Sequence, residues 1–80
     1  MKLIFQNSRK EERVIAEPSN KEEVSNEINK FLKDHNFKRY YTRVWEENGR
    51  LKLDVGNWSE FFFLEGMTFE EYQGKASKSV

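Results

Sequence analysis

The stretch from Phe37 to Glu65, FKRYYTRVWEENGRLKLDVGNWSEFFFLE, decides the fold. Tyr40-Tyr41-Thr42-Arg43-Val44-Trp45 is a run of β-branched and aromatic residues, the types that fit a pleated surface. Leu51-Lys52-Leu53-Asp54-Val55 alternates apolar and polar, the period of a half-buried strand. Between them lies Asn48-Gly49, the favoured pair of a type I′ turn, whose central residues both take positive φ. That turn predicts a register. Glu47 faces Arg50, Trp45 faces Lys52, Val44 faces Leu53, Arg43 faces Asp54, and Thr42 faces Val55. Thr42, Val44, Leu53 and Val55 then share one face, which is expected to be core. Tyr41, Arg43, Trp45, Lys52 and Asp54 share the other, with opposite charges meeting at 43 and 54. A slip of one residue would spoil both faces.

Beyond this hairpin, Gly56-Asn57-Trp58-Ser59 reads as a second turn and Glu60 to Leu64 as a final strand. Three consecutive phenylalanines put aromatics on both sheet faces, because neighbours alternate. Either Phe61 and Phe63 or Phe62 and Leu64 join Tyr41 and Trp45. Thr68-Phe69-Glu70-Glu71 has capping-box spacing and predicts a short helical turn through Tyr72. Residues 74–80 are small and polar and are expected to fray, leaving residues 1–73 as one domain.

On the N-terminal side, residues 2–6 and 13–17 read as two strands joined by a long polar loop, and Pro18 ends the second. Ser19 with Glu22, or Asn20 with Glu23, has helix-capping spacing. The helix then runs to about Asn36, with Val24, Ile28, Phe31, Leu32 and His35 on one stripe. A one-sided helix covers one face of a sheet. The fold class is therefore α+β, ββαβββ, a mainly antiparallel twisted sheet with one long helix packed on one face. The expected strand order is 2-1-3-4-5, which needs no crossing connection. The expected core is Leu3 or Ile4, Val14, Val24, Ile28, Phe31, Leu32, Val44, Leu53 and Val55.

The chain has 80 residues, no cysteine and a formal net charge of zero, which bounds it to one small domain without a disulfide or thiolate metal site. It reads as cytoplasmic, with no apolar run long enough for a membrane helix. Zero net charge argues against generic nucleic-acid binding. The uneven distribution, basic from Lys38 to Lys52 and acidic from Asp54 to Glu71, is read as cross-strand charge pairing. His35 is the only histidine, too few ligands for a metal. The adjacent carboxylates at 22/23, 46/47 and 70/71 point apart, unlike a glycosidase pair facing across a cleft. No phosphate loop or dinucleotide fingerprint is present, so neither catalysis nor a cofactor is expected.

The remaining candidate is the outer sheet face: Tyr41, Arg43, Trp45 and Lys52, with Phe61 and Phe63. Aromatics with arginine are enriched in protein interfaces. Aromatics interleaved with bases on a sheet also stack single-stranded nucleic acid, the alternative reading. Left open, this face would be a large apolar patch and the basis of a weak homodimer. The terminal helical turn, with Phe69 and Tyr72, is the other means of covering it.

Tyr40-Tyr41-Thr42-Arg43-Val44, Leu53-Asp54-Val55-Gly56 and Ser59-Glu60-Phe61-Phe62-Phe63-Leu64-Glu65-Gly66 carry a resemblance. With the small size, lack of cysteine and high Lys, Glu and Asn content, the chain resembles short accessory proteins of phages and prophages of Gram-positive bacteria. The resemblance brings no functional residues with it. It implies binding and modulation of a host or phage macromolecule, inhibition of host defence included.

Overall fold

The structure, a computed structural model, describes residues 1–57 and 59–73. Strands β1 (Lys2–Gln6) and β2 (Glu12–Ala16) precede helix α1 (Lys21–Asp34). Strands β3 (Arg43–Glu47), β4 (Arg50–Asp54) and β5 (Phe61–Glu65) follow, and a short helix α2 (Phe69–Gln73) closes the described chain. The predicted tail at 74–80 lies outside the described residues, as does Trp58.

The expected local chemistry is present. Asn48 and Gly49 have φ of 55° and 80°, and every pair from Arg43↔Asp54 to Glu47↔Arg50 has the predicted register. Asn20 caps α1, accepting from the Glu23 backbone N–H at 2.9 Å, while Glu23 accepts from the Ser19 N–H at 2.8 Å. Asn36, at φ 58°, is the left-handed residue after the helix. Thr68 and Glu71 cap α2 reciprocally, at 2.8 and 3.1 Å.

The five strands form one antiparallel sheet in the order β2-β1-β5-β4-β3. This corrects the expected order 2-1-3-4-5. β5 sits in the middle, paired with β1 and β4, and β3 is an edge. Burial explains the choice: Phe61 to Leu64 are apolar on both faces and gain from a strand on either side. β3, with Arg43, Glu46 and Glu47, tolerates an edge.

Pairing then decides the β5 register. Leu64 lies between Leu3 and Leu51, and Phe62 between Phe5 and Leu53. Phe62 and Leu64 therefore face α1. They form one core with Leu3, Phe5, Leu51, Leu53 and Val55, and with Val24, Ile28, Phe31 and Leu32 of the helix. The rings of Phe5, Phe31 and Phe62 meet at 4.5, 5.5 and 5.6 Å between centroids. Burying each such side chain is worth roughly 1.5–3 kcal/mol.

Two core expectations, Val14 and Thr42, are corrected. Val14 is 50% exposed, opposite Ile4 on the outer face, because a register shift at Leu3/Ile4 makes Ile15 the extra residue. Ile15 and Ala16 pack on the core in its place. Thr42 precedes β3 and is exposed, whereas Val44, on the edge strand, packs against the core as expected and is partly buried. Leu3 and Ile4 are both buried, on opposite faces. Phe69 and Tyr72 of α2 pack against the core cluster, so α2 does not close the outer face.

Candidate functional site

Strand alternation places Trp45, Arg50, Lys52, Phe61, Phe63 and Ile4 on the face away from α1. Left open by the single helix, this face would be a large apolar patch. Instead Phe63 is 3% and Ile4 6% exposed. The cover is made of the sheet's own cations. The Arg50 guanidinium lies 3.8 Å from the Phe63 ring centroid. It donates to both carboxylate oxygens of Glu12, at 2.9 and 2.7 Å, and lies 3.9 Å from Glu65. Lys52 Nζ lies 4.2 Å from the Phe61 ring, 5.8 Å from the Trp45 ring and 3.6 Å from Glu47. Both side chains are mostly covered, 21% and 17% exposed, with their charged groups over the rings and against acids at the rim. The hydrogen bond from Arg50 holds the Glu12 carboxyl below the usual carboxylate range, and Glu12 raises Arg50 in turn.

The side chains this network leaves free lie at the start of β3. Tyr40 is 66% and Tyr41 48% exposed. They sit on a segment fixed at several points. The Tyr40 N–H donates to the Val55 carbonyl at 2.9 Å. Arg39 donates to Thr42 Oγ1 at 2.9 Å and to Asn29 Oδ1 of α1 at 2.6 Å. Asp54, 6% exposed, accepts from Arg43 at 2.9 Å and from the Gly56 N–H at 2.9 Å. That bond holds the Arg43 guanidinium 5.2 Å from the Tyr41 ring and raises its pKa, with Tyr41 adding to the effect. Gly56, at φ 94°, admits the approach: a Cβ there would stand 2.8 Å from Tyr40 Cβ and 3.2 Å from Tyr41 Cε2. The result is two exposed phenols and an exposed arginine on a braced scaffold.

The structure thus divides the predicted set. Tyr41 and Arg43 stand together and exposed. Trp45 is half-buried, its Nε1 donating to Glu47 at 3.4 Å. Lys52, Phe61 and Phe63 belong to the closed network. Tyr40 was read only as part of a strand, yet among the described residues it is the most exposed of the large hydrophobics. Arg50 was read only as a turn flank. Its parity with Lys52 and Asp54 was the available signal for its place on the outer face. Asp54-Val55-Gly56 was the signal for a side-chain-supported turn.

His35 follows α1 as its cap, stacks on Phe31 at 4.0 Å and has Nδ1 2.9 Å from the Phe31 carbonyl. Among the described residues no group of three or more His, Cys, Asp or Glu is arranged to hold a metal ion, and no helix is long and apolar enough to cross a membrane. The chain matches no protein-family model, no curated protein and no solved structure.

Proposed function

We propose that this protein is a non-enzymatic interaction module that engages another protein through Tyr40, Tyr41 and Arg43, with Trp45 at the margin. One observation carries the reading: the outer-face cations Arg50 and Lys52 are occupied by acids and rings of the same sheet, whereas Tyr40 and Tyr41 are exposed and held in place. Rigid, exposed tyrosines beside an arginine offer large contact area at low ordering cost, the composition of interface hot spots. Phosphate binding calls instead for free cations. The partner in this reading is a host or phage protein, in keeping with the resemblance to phage accessory proteins.

The test places a photo-reactive phenylalanine analogue at position 41 or, as control, at Lys30, an exposed helix position. Irradiation in cells should yield discrete protein adducts from position 41 and none from position 30. Identical adducts from both positions, or none from position 41, would reject the reading. Binding to a labelled single-stranded oligonucleotide that falls steeply with added salt would favour nucleic acid instead.

A further inference from the structure

β3 ends the sheet, and among the described residues no strand lies against its outer side. The two-residue loop makes Glu47–Arg50 a hydrogen-bonded pair, as are Trp45–Lys52 and Arg43–Asp54 by alternation. The backbone N–H and C=O groups of Val44 and Glu46 therefore point away from the sheet; helix α2 touches β3, but no described residue hydrogen-bonds these outward groups.

The two edges differ. Strand β2 carries a register irregularity and is followed by Pro18, both devices that discourage further pairing. Strand β3 has a regular register throughout, with neither proline nor lysine, and an aromatic at its centre.

The sequence of β3, Arg-Val-Trp-Glu-Glu, is complementary to itself when reversed. Set antiparallel around a two-fold axis at Trp45, Arg43 falls opposite Glu47 of the second copy, at both ends. Val44 falls opposite Glu46, and these are the residues whose backbone groups point outward, so they become the hydrogen-bonded pairs. Trp45 meets Trp45 at the intervening non-hydrogen-bonded position, where cross-strand side chains come closest. Charge, hydrogen-bond phase and aromatic pairing agree on this one register.

We propose that β3 pairs edge to edge with β3 of a second copy in this register, giving a continuous sheet across a two-fold homodimer. The proposal goes beyond the partner reading and does not rest on it, although it uses the strand that carries Arg43 and Trp45. It needs backbone pairing, however, rather than contact through Tyr40 and Tyr41.

Sedimentation of the wild-type protein across a wide concentration range should show reversible dimerisation. Amide exchange at Val44 and Glu46 should slow as concentration rises, while exchange at Val14 on the other edge stays constant. The protein contains no cysteine, so Trp45→Cys provides a register probe. Oxidation should join two copies of it, since residues facing at a non-hydrogen-bonded position lie within disulfide reach. Arg43→Cys alone should not self-link, but should link to Glu47→Cys. Glu46→Pro removes an outward N–H and leaves the β3–β4 ladder intact. One hydrogen bond lost in each copy should weaken the dimer by at least about tenfold.

A monomer at every concentration overturns the proposal, as does a dimer with unchanged exchange at 44 and 46. Self-linking by Arg43→Cys in place of Trp45→Cys overturns it too. The exchange measurement uses the wild type, so it decides the matter even if the proline variant unfolds. A monomer that still gives foreign-protein adducts from position 41 sinks edge pairing and leaves the partner reading standing. A dimer whose position 41 links to no other protein sustains edge pairing and sinks the foreign partner.

Discussion

Replacing Arg50 by alanine removes the centrepiece of the outer face. The bidentate pair with Glu12, at 2.9 and 2.7 Å, has good geometry but faces solvent, which limits it to about 0.5–1 kcal/mol. The guanidinium 3.8 Å from the Phe63 centroid adds about 1–2 kcal/mol in this half-desolvated setting. Burial of the rest of the side chain, 21% exposed in all, adds roughly 1 kcal/mol. Arg50→Ala should therefore cost roughly 2–4 kcal/mol, against the roughly 4–12 kcal/mol expected for a chain of this length. With a urea slope of about 1 kcal/mol/M, the midpoint falls by about 2–4 M. Arg50→Met keeps most of the stem and loses the charge, so it should fall between alanine and wild type. The alanine variant should also bind a hydrophobic dye at Phe63, which the wild type covers. Glu12→Gln combined with Arg50→Ala should lose less than the sum of the two single changes. A loss below about 0.5 kcal/mol for Arg50→Ala, with no dye binding, would refute the idea that the sheet's own cations close this face.

Gly56→Ala and Gly49→Ala both force alanine into a left-handed conformation, at about 1 kcal/mol each. Only the Cβ at 56 also meets Tyr40, so Gly56→Ala should lose about 2–4 kcal/mol in thermal unfolding and loosen the Tyr40–Tyr41 segment. Equal losses at the two sites would show that the close approach is unimportant. Glu12 titrates below its unfolded value, so its contribution is present above about pH 4.3 and is lost as pH falls through the folded value. The stability difference between wild type and Glu12→Gln should accordingly shrink on acidification, as read by urea unfolding at stepped pH. Burial raises Tyr72, so the fold penalises its ionised form: stability is intact below about pH 10 and falls as pH climbs above it. Tyr72→Phe should flatten that alkaline decline in circular dichroism melts, and an unchanged slope would mean Tyr72 is not buried in solution.

Turn and cap chemistry acts over a few residues, and those parts of the fold were legible in the sequence. Asn48-Gly49 determined the β3–β4 register, and Asn36, Thr68 and Glu71 marked helix ends, while the start of α1 was narrowed to Ser19 with Glu22 or Asn20 with Glu23, of which the structure uses the second. The apolar stripe of α1 identified four core residues for the same local reason. Phe61-Phe62-Phe63 carried no such information, because an unbroken aromatic run lacks the alternation that distinguishes faces. Only pairing with β1 on one side and β4 on the other turned Phe62 inward. Val14 and Ile15 likewise exchanged roles through an irregularity that exists only once β2 lies against β1. The candidate site followed the same division. Tyr41 and Arg43 were found from strand parity, but their exposure could not be read from it. The closure of the apolar centre depends on Arg50 reaching Glu12, a partner 38 residues away brought near only by the β2-β1-β5-β4 order, and the exposed tyrosines lie before β3, outside that network.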